Sequence, residues 1–125
     1  MKIAVSCTAP TGGSEDWKNA KVDPRFGRAQ GFLVYDDQTD EAEYVDNAQN
    51  LSLPQGAGIQ AAQNVAATGA QVVLTGHVGP KAYLALDKGG IAICLGVDGN
   101  VGEAVRAYKA GELESAQGPD KDGHW

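Results

Sequence analysis

The stretch that decides the fold is residues 71–96, "QVVLTGHVGPKAYLALDKGGIAICLG". Two short apolar runs, 71–76 and 91–96, flank a segment with helical spacing. Continuous apolar runs of this length are the pattern of strands buried on both faces. Pro80 stands where proline is tolerated, in a first helical turn, and Gly89-Gly90 ends the helix after about Lys88. Strand, helix, strand in this order predicts two parallel strands joined by a right-handed crossover.

Upstream, "KIAVSC" (2–7) reads as a first strand. "GFLVYD" (31–36) and "EAEYVDN" (41–47) read as a hairpin with an acidic tip. "LPQGAG" (53–58) is a turn, and Ile59 to Thr68 is an alanine-rich helix stopped by Gly69. Downstream, "VDGN" (97–100) is a turn and Val101 to Ala110 a third helix, ended by Gly111. Residues 8–30 carry two prolines and three glycines without periodicity, a long loop of the kind that usually has a function. The expected fold is therefore α/β: a mixed five-stranded sheet of order 3-2-1-4-5, strand 2 antiparallel, with three helices in a ribonuclease H-like three-layer arrangement. It forms one domain, 1–114, followed by a flexible tail, 115–125.

The chain of 125 residues fits one core. No apolar run approaches the roughly 18 residues of a membrane helix. The N-terminal run lacks the h-region of a secretory signal, so a cytoplasmic protein is expected. A net charge of -6 argues against a general nucleic-acid binder. Six of sixteen acids fall between Asp36 and Asp46, whereas Lys18, Lys21, Arg25 and Arg28 lie within eleven residues that hold a single acid, Asp23. Cys7 and Cys94 are far apart and match no zinc spacing. Cys94 reads as a packed thiol; Cys7, at a strand end, reads equally as packed or as a site residue.

In an open α/β sheet, ligands gather outside the carboxyl ends of the strands. That edge collects Ser6-Cys7-Thr8, the turn of Gly56 and Gly58, the turn Gly76 to Gly79, and the turn Gly96 to Gly99. "DPRFGRA" (23–29) arrives there as well, and the acidic tip lies opposite. Three glycine turns leading into helix N-termini offer free N–H groups and partial positive charge. Arg25 and Arg28 add fixed charge with planar donors. The expectation is an anion site, although glycines also simply end elements. His77 is a metal ligand, an anion donor or a polar strand end. Phe26 lies under the site or anchors the loop.

Five stretches, "MKIAV" (1–5), "DPRFGRA" (23–29), "GAGIQAAQ" (56–63), "VLTGHVGPKA" (73–82) and "VGEAVRAYKAGEL" (101–113), occur in this order and spacing. Together they resemble the dinitrogenase iron-molybdenum cofactor biosynthesis family, over the chain to about residue 114. The resemblance is strongest to its small stand-alone members. It implies a non-catalytic carrier or store for an anionic metal–sulfur cluster, of molybdenum–copper sulfide type. It also implies a partner of the MinD-type P-loop ATPase class. Some relatives have histidine where this chain has Arg25, which removes a ligand and adds a cation. The positions that would hold the cluster are Cys7, Arg25, Phe26, Gly27, Arg28, Gly56, Gly58, Gly76, His77, Val78, Gly79 and Lys81. A cluster that brings its own sulfides needs charge neutralisation more than cysteines.

Three other functions compete. A ribonuclease H-type nuclease needs clustered carboxylates, and strands 1 and 4 hold none. A phosphate or nucleotide binder would use the same helix ends, but GxxxxGK[ST] and GxGxxG are both missing. An interaction module regulating an ATPase needs no ligand.

Overall fold

The computed structural model describes residues 1–10, 16–47 and 56–116. Its strands are β1 (Lys2–Cys7), β2 (Gly31–Asp36), β3 (Glu41–Asp46), β4 (Val72–Leu74) and β5 (Ala92–Cys94). Its helices are α1 (Ala57–Ala67), α2 (Pro80–Lys88) and α3 (Val101–Lys109), with single 3-10 turns at Asp16–Asn19 and Phe26–Arg28. The strands form one sheet in the order β3-β2-β1-β4-β5. The β1–β2 and β2–β3 pairs are antiparallel; β1–β4 and β4–β5 are parallel.

Strand alternation divides the core into two layers. Ile3, Val5, Cys7, Leu33, Tyr35, Val72, Leu74 and Cys94 face α3, where Trp17, Val101 and Val105 cover them. Ala4, Phe32, Val34, Val73 and Ile93 face Ala61, Ala62 and Val65 of α1 and Ala82 and Leu86 of α2. The result is a three-layer α/β/α fold, as expected from the order of elements.

The parallel strands are shorter than the apolar runs that encode them. Each ladder ends three residues in, because the following backbone bends into cross-links over the strand ends. The Gly96 N–H donates to the Gly76 carbonyl at 2.9 Å, and the Val97 N–H to that of Thr75 at 3.1 Å. Helix α1 begins two residues earlier than its alanine-rich core suggested, at Ala57. The acidic hairpin tip lies at the amino end of β1, where the N-terminal ammonium meets Asp37 at 2.8 Å. Asp40 holds a left-handed φ of 58° and accepts a hydrogen bond from the Tyr35 hydroxyl.

At one border of the sheet, β3 exposes Glu41, Glu43 and Asp46. At the other, Ser115 bridges to Cys94 and the Ala116 N–H donates to the Ile93 carbonyl at 2.7 Å. The remainder of the expected tail, 117–125, lies outside the described residues, as do residues 53–55 of the "LPQGAG" turn. Among the described residues, no helix is long and apolar enough to cross a membrane.

Candidate functional site

The site begins with two hydroxyls. Ser6 and Thr75 stand at the carboxyl ends of β1 and β4, fully buried, with their oxygens 2.7 Å apart. The Ser6 hydroxyl donates to the Asp23 carbonyl at 2.7 Å, so Thr75 must donate to Ser6, because a hydroxyl has one proton. The Asp23 N–H donates back to the Ser6 carbonyl at 2.8 Å. These contacts fix the start of "DPRFGRA" across the strand ends.

The loop then runs alongside the 76–78 turn. The His77 N–H donates to the Pro24 carbonyl at 2.7 Å, and the Phe26 N–H to the His77 carbonyl at 3.3 Å. Arg25 and His77 thus pair as an isolated parallel bridge. Glycine is needed at position 76 because a Cβ there would lie 2.7 Å from the Pro24 Cα. Asp23 caps its own turn by accepting from the Arg25 N–H at 3.0 Å, and its carboxylate is 3.8 Å from the exposed Arg25 guanidinium. Phe26 is the anchor: it is 1% exposed and its ring lies 5.2 Å from that of Phe32. Val78 is likewise buried, beneath the turn.

Two close approaches gather the rest. A Cβ on Gly27 would lie 2.9 Å from the Gly58 Cα, so the 3-10 turn rests against the first turn of α1. A Cβ on Gly58 would lie 3.1 Å from that of Ala82, so α1 rests there against α2. Loop 25–28 and the N-termini of α1 and α2 therefore meet on the α1/α2 side. Among the described residues, neither N-terminus is capped by the side chain of its N-cap residue. Gly56, with φ 82°, precedes α1; Gly79 precedes α2; neither first turn holds an acid. Instead Lys81 stands exposed in the first turn of α2. A cation at the positive end of a helix costs about 0.3–1 kcal/mol unless an anion shares the place.

Helix α3 is built the opposite way. Asn100 caps it, accepting from the Glu103 N–H at 2.8 Å, and Glu103 places a carboxylate in the first turn. Its N-terminus lies on the other side of the sheet. There the Val101 N–H donates to the Ala20 carbonyl at 2.8 Å and the Val22 N–H to the Gly99 carbonyl at 3.0 Å. The expectation of three converging helix ends is thus corrected to two. The chain crosses the sheet after β5, and α3 leaves the shared edge with its turn already occupied.

Eleven of the twelve anticipated positions meet at this edge: Arg25, Phe26, Gly27, Arg28, Gly56, Gly58, Gly76, His77, Val78, Gly79 and Lys81. Cys7 does not. Its side chain points into the α3-side layer, 0% exposed, and burial pushes its pKa up to about 12. Burial raises the Cys94 thiol on the same side. Both are free thiols held in the neutral form, which is a poor metal ligand. Among the described residues, no group of three or more His, Cys, Asp or Glu is placed to hold a metal ion. The segments that do meet carry backbone N–H groups, two guanidinium groups and an ammonium. Such a set suits a preformed anion and not a bare cation. Sequence reasoning missed the Ser6–Thr75 pair. Its signal was a hydroxyl closing each of two otherwise apolar strands.

Residues 1–111 match the protein family described as dinitrogenase iron-molybdenum cofactor. The chain belongs to that family. The apo form of the orange protein from Desulfovibrio gigas is 45% identical, with a TM-score of 0.89 and 96% of each chain covered. A Thermotoga protein described as of NifB type is 24% identical, covers 98% of each chain and has a TM-score of 0.80; it shows the fold alone. An uncharacterised protein of Methanocaldococcus jannaschii is 25% identical over 99 residues, 77% of this chain and 83% of the relative. The match to the dinitrogenase cofactor family spans all five strands and all three helices.

Proposed function

We propose that this chain binds an anionic metal–sulfur cluster of molybdenum–copper sulfide type at the loop 25–28 edge, as a non-catalytic carrier or store. The observation that carries the reading is the Gly27–Gly58–Ala82 contact series, which puts two uncapped helix N-termini beside Arg25, Arg28 and Lys81. Cluster sulfides accept hydrogen bonds from N–H groups, and negative charge offsets the cost of Lys81 and of the converging helix ends. The relative from Desulfovibrio gigas was solved in its apo form, which supports a bound group in that protein. Gly56, Gly58, Gly76 and Gly79 let the backbone approach the cluster. Val78 and Phe26 supply the apolar floor, and His77 borders the arginines. Two buried, free thiols suit a reducing, cytoplasmic setting.

The test is metal analysis with a visible spectrum after incubation with tetrathiomolybdate and Cu(II), followed by desalting. Retained molybdenum and copper with sulfide charge-transfer bands are expected. The double variant R25A/R28A should fold normally and lose most of the bound metal. Unchanged metal content in that variant would refute the role of the loop. If nothing survives desalting in the unaltered protein, the edge serves a phosphate ligand or a MinD-type P-loop ATPase, and phosphate titration and pull-down separate the two.

A further inference from the structure

The opposite side of the sheet carries a cavity of about 470 Å³ that the cluster reading does not use. It lies between the 16–19 turn, the β2–β3 hairpin tip and α3, and falls within the ~300–1,000 Å³ of small-molecule sites. Its apolar wall is Trp17, Tyr35 and Val105, with the two rings 5.3 Å apart. Both aromatic residues are buried; Tyr35 is 2% exposed.

The charges around this wall run against those of the whole molecule. The chain has a net charge of -6, yet the cavity is lined by three cations, Lys18, Arg106 and Lys109, and two acids, Asp40 and Glu103. Both acids are engaged. Asp40 accepts from the Tyr35 hydroxyl, and Glu103 sits in the first turn of α3, where a carboxylate offsets the helix end. Lys109 stands 5.4 Å over the Tyr35 ring and donates to its hydroxyl at 3.4 Å; Lys18 stands 5.6 Å over Trp17. Arg106 has no ion-pair partner among the described residues.

We infer that this cavity is a second binding site, for a small organic anion with an apolar body, an arylcarboxylate being the simplest example. The ring would lie along the edges of Trp17 and Tyr35 beside Val105. Its carboxylate would meet Arg106 and Lys109, which stand one turn apart on α3. A cationic ligand would face three like charges, and a neutral one would leave the arginine without its partner.

The experiment is an NMR titration of the intact, isotope-labelled protein with 2-naphthoate. The expected result is saturable shifts at the Trp17 indole N–H and at the Val105 and Arg106 amides. The variant R106Q/K109Q keeps polar stems at both positions and should bind at least about fivefold more weakly, as expected for two part-exposed charge contacts. 2-Naphthylmethanol, the same ring without charge, should be weaker by a similar factor. No shift at millimolar ligand, shifts centred instead on residues 25–28, or equal binding of the neutral alcohol would each overturn the inference. So would an unchanged affinity in the double variant.

Discussion

Replacing Gly76 with Ala tests whether the basic loop is seated as described. The φ of Gly76 is not in the left-handed region, so alanine brings no backbone strain there. Its cost is contact alone: the new Cβ would lie 2.7 Å from the Cα, 2.8 Å from the Cβ and 2.9 Å from the carbonyl oxygen of Pro24. None of these is the end of a flexible side chain, so the loop must lift. Overpacking of this kind costs about 1–3 kcal/mol. Alanine also narrows the unfolded ensemble, which returns about 0.4–1 kcal/mol. The net loss is about 1.3 kcal/mol, or roughly 5 °C in Tm for a domain of this size. Thermal unfolding followed by circular dichroism reads that shift. Amide exchange at His77 reads its cause, because the His77 N–H donates to Pro24 at 2.7 Å. G90A is the control: Gly90 has φ 73° with nothing within 4 Å, so alanine there strains the backbone and leaves the loop alone. If G76A melted within about 1 °C of the parent with unchanged exchange at His77, Pro24 would not rest on Gly76. The placement of Arg25 and Arg28 would fail with it.

Two further outcomes follow from burial. The Cys7 thiol ionises near 9.0 in the unfolded chain and at about 12 in the fold, so the folded state holds its proton more tightly. Its contribution to stability is complete below pH 9 and is lost as pH rises toward about 12. Stability should fall across that window by up to about 1.4 kcal/mol per pH unit for each such group. Cys94 and Tyr44, raised by burial, and Tyr35, raised first by its hydrogen bond to Asp40, act in the same direction. Urea unfolding at a series of alkaline pH values measures the slope, C7A should flatten its onset, and a flat profile would contradict the burial. F26A should cost about 3–5 kcal/mol by emptying the space against Phe32. It should also release the loop, visible as a lower urea midpoint together with loss of retained metal.

The sheet order was legible because it rests on local signals. Apolar runs at 71–76 and 91–96, Pro80, and the glycines after each helix all act within a few residues of themselves. The strand ends were not legible. Thr75 and Gly76 look like strand, and the Thr75 N–H still donates to the Cys94 carbonyl, but their own carbonyls accept from Val97 and Gly96, which sequence proximity does not reveal. The described part of the loop from residue 16 to 30 shows no periodicity because isolated bridges hold it: Cys7 to Val22, Lys21 to Asn100 and Arg25 to His77. The side taken by α3 was hidden for another reason. The handedness rule acts on a helix between two parallel strands, and no strand follows α3 among the described residues. Hence its glycine turn was counted with the two that do converge. The candidate site was legible where its residues are cationic or glycine. Of the two readings open for Cys7, the fold takes the packed one, because the two-residue alternation of β1 turns that thiol away from Ser6.

The two borders of the sheet are closed by different means. Along β3, exposed Glu41, Glu43 and Asp46 would bring carboxylate against carboxylate if two copies met strand to strand. Along β5, the chain's own Ser115 and Ala116 already take up hydrogen-bonding positions that a visiting strand would need. Neither border is left as a template for polymerisation. In the proposed carrier role, a chain empty between loads would gain from this: its copies could accumulate without growing into fibrils.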